Sequence, residues 1–128
     1  MKPKQIWANL AVSDLRRTTQ FYTDLGFILN GQSEKLTSFL FGEHNFVIHF
    51  FIKSELASSM KGALTDSELG NEIMFTLSAD SKEEVDQWAQ KIERSEGKLV
   101  SQPEEFGEGY YGFVFTDPDG HKFNIFFM

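Results

Sequence analysis

Two side chains in this 128-residue sequence combine reactive chemistry with a strand-like setting, namely the imidazole of His49 and the carboxylate of Glu72. These groups can ligate a divalent metal or exchange a proton with a substrate. Two hypotheses follow for the pair. They hydrogen-bond each other across a pocket, or Glu72 is a catalytic general base among apolar neighbours such as Met74 and Phe51.

Strand alternation predicts which side chains accompany them. Every second side chain of a strand points to the same face, and three strand-like runs have one uniformly apolar face, expected to pack on helices: Ile6, Ala8, Leu10 and Val12; Phe46, Ile48 and Phe50; Ile73, Phe75 and Leu77. Opposite these we expect a concave surface that binds a small-molecule ligand. Its predicted lining, besides His49, Glu72 and Thr76, is Trp7, Asn9, Val47, Phe51, Met74, Asn124 and Phe126.

Two aromatic features have open interpretations. Trp7 is either a platform for a flat ligand or a residue that fills space. The run Phe106–Tyr111 contains two glycines and is expected to be a flexible loop, either a lid near the pocket mouth or an ordinary surface connection.

The elements that position these residues are repeated. Each half predicts one strand, one helix and three further strands, so residues 1–53 and 71–128 are two βαβββ modules of a single domain, 1–128. Residues 54–70 form a polar linker with room for a short helical turn. The predicted strands are Ile6–Val12, Phe27–Asn30, Leu36–Phe41, Asn45–Lys53, Glu72–Ser78, Lys98–Ser101, Tyr110–Phe115 and Lys122–Phe127.

Local sequence signals mark where the two predicted helices begin and end. Ser13 and Asp14 cap the first, and Gly26 ends it in a left-handed conformation. The second begins with a capping box, Ser81 to Glu84, and ends by Gly97. This pattern of helices and strands predicts an α+β fold.

Composition excludes several function classes. The net charge of −7 opposes binding to nucleic acid or to an anionic membrane surface. The absence of cysteine excludes disulfides and thiolate chemistry. No apolar run approaches the ~20 residues of a membrane span, and no signal peptide is evident, so we expect a cytoplasmic protein.

Motifs at both ends of the chain carry a family resemblance. The segment Asn9–Leu15, followed by Phe21-Tyr22 and Leu25-Gly26-Phe27, and the turn Asp117-Pro118-Asp119-Gly120-His121 resemble the glyoxalase/bleomycin resistance/dioxygenase superfamily, the vicinal oxygen chelate proteins. The resemblance implies a curved mixed sheet with a concave pocket. It also implies a homodimer and a lactoylglutathione lyase-like activity, a lyase or isomerase reaction on a small oxygenated substrate.

The same resemblance implies a metal site that is incomplete here. The family's four ligand positions fall on Trp7, His49, Glu72 and Asn124, and only His49 and Glu72 are competent metal ligands. A divalent metal (Zn, Ni, Fe or Mn) is therefore expected to be held weakly. The alternatives are a metal-free, ligand-sequestering dimer of the bleomycin-resistance type and a regulatory dimer with a vestigial pocket.

Overall fold

The computed structural model describes residues 1–128 as two compact units, Met1–Thr65 and Asp66–Met128. The first unit contains strands β1 (Trp7–Val12), β2 (Ile28–Gln32), β3 (Leu36–Phe41) and β4 (Phe46–Ile52), with helices α1 (Leu15–Asp24) and α2 (Lys53–Met60). Its sheet has the order β1-β4-β3-β2. The pair β1–β4 is parallel, whereas β2–β3 and β3–β4 are antiparallel.

The second unit repeats this topology. It contains β5 (Met74–Ser78), α3 (Lys82–Glu93), β6 (Lys98–Leu99), β7 (Glu104–Phe106), β8 (Tyr110–Thr116) and β9 (Lys122–Phe127). The strand order is β5-β9-β8-β6, with β7 also paired to β8, and only β5–β9 is parallel. The predicted α+β class is therefore confirmed, and β7 is a strand that the sequence did not predict.

Both helices begin at the predicted caps. The Asp14 side chain accepts a hydrogen bond from the Arg17 N–H at 3.0 Å, and Ser81 accepts one from Glu84 at 3.0 Å. The Glu84 carboxylate in turn accepts from the backbone N–H of Asp80, one residue earlier than a standard capping box requires. Gly26, with φ of +96°, ends the first helix as predicted.

Each unit has an apolar core between its sheet and one helix. In the first, Tyr22 of α1 stacks on Phe50 of β4, with ring centroids 4.6 Å apart, and also contacts Phe39. In the second, Val85, Ala89 and Ile92 of α3 are buried, as are these sheet residues: Phe113, Phe115, Phe123 and Ile125. We call the opposite side of each sheet, which faces away from α1 or α3, its far face.

Two residues predicted for the core are exposed instead. Ile6 is 79% exposed and Ile73 is 61% exposed. Both residues precede the first residue of their strands, β1 and β5, so the alternation of side chains within a strand does not apply to them. Because β1 and β5 are also edge strands within their units, apolar residues at their starts are left uncovered.

The linker region is more ordered than predicted. The helix α2 occupies its first part, and its C-cap Lys61 has a positive φ of 57°. Further along, Ser67 Oγ donates to the carbonyl of Asp119 at 2.7 Å and Asn71 Nδ2 donates to that of Gly120 at 2.9 Å. These bonds fix the end of the linker to the β8–β9 turn, which the Asp117 carboxylate orders by accepting from two backbone N–H groups.

Gly112 in β8 permits a close approach that another residue would prevent. A Cβ there would collide with the carbonyl oxygen of Ile125 and lie 2.9 Å from Cβ of Phe126, whereas Gly31 in β2 has open space around it. We expect Gly112→Ala to lower the free energy of unfolding by about 1–3 kcal/mol, because β9 must shift. Gly31→Ala, the matched control, should be neutral or stabilising by up to about 1 kcal/mol. Urea denaturation measures both, and equal effects would contradict the structure.

Candidate functional site

A row of polar side chains crosses the far face of the first sheet. The parallel register places Asn9 of β1 beside His49 of β4, and the antiparallel register places Ser38 of β3 on the other side of His49. Asn30 of β2 extends the row by donating from Nδ2 to Ser38 Oγ at 3.1 Å. All four strands thus contribute a hydrogen-bonding group to one line.

His49, at the centre of this row, has unused hydrogen-bonding capacity. Its Nδ1 is buried and lacks a hydrogen-bond partner, and its ring lies edge-on to Phe51 with centroids 6.0 Å apart. A buried polar atom without a partner costs on the order of 1–3 kcal/mol, so native structures seldom retain one without a role. The hydrogen bond predicted between His49 and Glu72 stays a prediction.

Apolar side chains flank the polar row on the same face. On one side Trp7 pairs with Val47, and on the other Ala11 pairs with Phe51. The Trp7 side chain is 51% exposed. The predicted lining residues of the first module therefore lie together on one face: Trp7, Asn9, Val47, His49 and Phe51.

A cavity of about 450 Å³ opens where this sheet begins. Trp7 and Val47 line it together with Ile6, Phe46 and His44, the last from the β3–β4 turn. The cavity reaches the apolar end of the far face, so an organic molecule bound there would contact the indole of Trp7.

In the second unit, two of the predicted residues lie in neighbouring rows. Asn124 of β9 is beside Thr76 of β5 and Val114 of β8, and Phe126 is beside Ser78 and Gly112. Met74 begins β5, is 48% exposed and pairs with Lys122. Asn124 is surrounded in its row by a hydroxyl and an aliphatic side chain, neither of which is a strong metal ligand.

The strand expected to carry Glu72 begins two residues later, at Met74. Glu72 therefore precedes the strand, and its side chain is exposed. Strand alternation does not assign a residue outside the strand to either face of the sheet. The predicted position of the Glu72 carboxylate on β5 is therefore wrong. The apolar surroundings that the general-base hypothesis requires are also lacking at an exposed residue.

The run Phe106–Tyr111, predicted to be a flexible loop, belongs to a two-stranded ribbon. Residues Phe106 and Tyr110 face each other as the last pair of the β7–β8 hairpin, and the turn between them contains Gly107 and Gly109, both with positive φ. The glycines that suggested a flexible loop instead permit a tight turn. Phe106, Tyr110 and Phe126 lie on the far face of the second sheet with their rings stacked in pairs.

Polar bonds fix the other face of this ribbon to α3. Lys82 Nζ lies 2.7 Å from the Glu105 carboxylate, and Tyr111 OH donates to Asp86 at 2.6 Å. Lys82 also lies 5.5 Å from the centre of the Tyr111 ring. The hydrogen bond between Lys82 and Glu105 raises the pKa of Lys82 and lowers that of Glu105, and the bond to Asp86 raises the pKa of Tyr111.

The donor set does not fit a catalytic metal. Nowhere in the chain do three His, Cys, Asp or Glu side chains lie close enough together to hold one. His49 has the neutral neighbours Asn9 and Ser38 in its row, and an indole replaces a ligand at Trp7. First-row divalent sites generally require three protein ligands, and the residues around His49 fall short of that number.

Ser38 and Asn30 were not among the residues predicted for the site. A signal for Ser38 was present in the sequence, because strand alternation places Ser38 on the face opposite the large aromatic side chains Phe39 and Phe41. Asn30 lies beside an irregularity in the β2–β3 register between Leu29 and Gly31, which strict alternation does not predict.

Comparison with known proteins agrees with this architecture. A family model described as the glyoxalase/bleomycin resistance protein/dioxygenase superfamily matches residues 4–125. The chain belongs to this superfamily. No curated protein sequence matches the chain significantly.

Several solved structures have the same fold. Hypothetical protein SA1046 from S. aureus is 30% identical, with a TM-score of 0.88, and the match covers 100% of this chain and 96% of that one. A lactoylglutathione lyase from Agrobacterium tumefaciens is 23% identical, with a TM-score of 0.70 and coverage of 99% and 96%. A bleomycin resistance determinant encoded on transposon Tn5 is 20% identical, with a TM-score of 0.64 and coverage of 97% of each chain.

None of the three helices is long and apolar enough to cross a membrane.

The bond between Tyr111 and Asp86 gives a spectroscopic test of the ribbon. Because the carboxylate holds the phenol proton, the folded-state pKa lies above the ordinary value of 10.0, so this contribution to stability is present below pH 10 and is lost as pH rises through the raised pKa. We expect Asp86→Asn to lower the pKa of Tyr111. The absorbance of tyrosinate as a function of pH measures this pKa, and Tyr111→Phe identifies which titration step belongs to Tyr111. A Tyr111 step that stays at the same pH in Asp86→Asn would contradict the hydrogen bond.

Proposed function

We propose that this protein binds an organic small molecule on the far face of its first sheet without using a metal. The observation that carries the proposal is the buried, unpartnered Nδ1 of His49, inside a row of neutral hydrogen-bonding groups and beside a half-exposed Trp7. A few placed polar groups among apolar and aromatic residues are typical of small-molecule sites. Of the alternatives that the sequence left open, this proposal corresponds to the metal-free, ligand-sequestering protein of the bleomycin-resistance type.

A lactoylglutathione lyase-like activity has less support. It depends on a metal whose donor set is incomplete here. It also depends on Glu72, which is exposed. The similarity to the Agrobacterium lyase, at 23% identity, shows a shared fold and does not extend to its reaction.

We further propose that the protein is a homodimer. The edge strands β1 and β5 begin beside exposed apolar residues, Ile6 and Ile73, and unpaired strand edges with apolar side chains are favourable surfaces for a second chain. In a symmetric dimer, the same apolar surface of both chains would be covered by the partner chain.

Ligand binding without metal is tested by thermal shift in excess EDTA, with a panel of heteroaromatic compounds. We expect at least one compound to raise Tm, because binding to the native state stabilises it. Trp7→Ala should weaken that compound's affinity about five- to hundredfold, the range for losing an aromatic stacking partner. Met60→Ala, which changes an exposed residue on α2, is the control.

Two outcomes would contradict this function. One is stabilisation by the compounds only after zinc, nickel, iron or manganese is added, which would favour the metal-dependent lyase. The other is an affinity that Trp7→Ala leaves unchanged, which would exclude the far face of the first sheet as the site.

The homodimer is tested by sedimentation velocity at micromolar concentration. We expect a species of twice the 14.7 kDa chain mass. Ile73→Lys should shift it toward monomer, because a charge would be buried in the interface. Leu69→Lys, at a linker residue that is 87% exposed, should not. Wild-type protein that sediments as a monomer would refute the proposal.

A further inference from the structure

Three aromatic rings on the far face of the second sheet form a cluster with nearly parallel ring planes. The ring centroids of Phe106, Tyr110 and Phe126 are 5.8, 5.9 and 6.3 Å apart, and the ring planes lie within 28° of parallel. Because the three separations are nearly equal, the ring centroids form a triangle and not a single column. Phe106 is 43% exposed and Tyr110 is 38% exposed. We call these three residues the ring cluster.

The backbone beneath the ring cluster is held from several directions. Phe106 and Tyr110 are a cross-strand pair, and the ion pair of Lys82 with Glu105 fixes the opposite face of the same ribbon to α3. Gly112, which lies between Tyr110 and Phe126 on this face, has no side chain to separate their rings. A ligand that stacks on the ring cluster therefore meets rings that are already in place, which lowers the ordering cost of binding.

The charges around the ring cluster favour a cation. Glu104 lies on the same face, since it pairs with Gly112 next to Phe126, and Glu108 lies in the adjoining turn. The lysines of this face, Lys98 and Lys122, are in the row of Thr116. That row is four residues along β8 from Gly112, about 14 Å away. Over this distance their charge is largely screened at ordinary ionic strength.

We propose that the ring cluster is a recognition surface for a planar aromatic cation, with Glu104 as its counter-charge. The inference rests on the proposed small-molecule function, and it adds a second binding surface together with the chemical class of the molecule bound there. Ring faces are electron-rich and attract cations, and extended flat molecules stack on them. A neutral aromatic ligand or the surface of a second chain would use the same rings without needing the carboxylate.

Three probes separate these chemistries. At mildly alkaline pH, 9-aminoacridine is a planar cation, acridine is the same ring system without charge, and cyclohexylamine is a cation without an aromatic face. Isothermal titration calorimetry in EDTA should show that 9-aminoacridine binds about two- to thirtyfold more tightly than acridine, the range of a cation–π contribution. Cyclohexylamine should not bind measurably.

Variants connect this binding to named residues. Phe106→Leu and Tyr110→Leu remove an aromatic face while they retain an apolar side chain, and each should weaken 9-aminoacridine at least about fivefold. Tyr110→Phe retains the ring and should retain the affinity. Glu104→Gln should reduce the preference for 9-aminoacridine over acridine. Leu69→Ala, at an exposed apolar residue of the linker, is the control.

The results distinguish failure of this inference from failure of the proposed function. Equal affinities for acridine and 9-aminoacridine would overturn the cation preference, and leucine variants that bind as wild type would overturn the ring cluster as the site. Either result, with Trp7→Ala still reducing affinity for a panel compound, would leave the first-sheet site intact. Loss of affinity in Phe106→Leu with an unchanged Tm would support the inference directly.

Discussion

In each unit, parallel pairing of the first strand with the last determines which side chains meet on the far face. The register of β1 with β4 places Asn9 beside His49, and that of β5 with β9 places Thr76 beside Asn124. A slip of one residue would turn His49 toward α1 and Phe50 toward solvent, because side chains alternate between faces. The buried ring of Phe50 against Tyr22 therefore fixes the register on which the polar row depends.

The two far faces differ in chemistry although their topology is the same. The first has neutral hydrogen-bonding groups beside an indole, with one imidazole nitrogen unsatisfied. The second has three exposed or half-exposed rings beside acidic residues. Neither face provides the three anionic or imidazole ligands of a tight metal site. We therefore propose that both far faces bind organic molecules, the first through hydrogen-bonding groups beside an indole and the second through aromatic rings.

Local signals in the sequence were sufficient for most of the fold. Asp14 and Ser81 cap their helices because their side chains bond backbone N–H groups a few residues away, and a short segment encodes this fully. Strands β3 and β9 have the predicted bounds, since alternating aromatic residues between turns define them. The errors lie at strand ends: Ile6, Ile73 and Glu72 were placed on strands that begin later.

The site was less predictable because it depends on pairing between distant segments. Alternation put His49 on the correct face, but the presence of Asn9 and Ser38 beside it follows from register between strands far apart in sequence. The β7–β8 ribbon was interpreted as a loop because Gly107 and Gly109 suggested flexibility, whereas long-range bonds to Lys82 and Asp86 order it. Such bonds leave no signature in a local window.

The most direct test of metal-free recognition at the polar row is histidine-selective NMR of the protein in EDTA. The chain has only three histidines, so substitution of each one assigns its resonance. Titration with the compound that gives the largest Tm rise should shift the imidazole signals of His49 and leave those of His121, which is buried in the second unit, unchanged. Stoichiometric binding that leaves the His49 signals in place would contradict metal-free recognition at this row.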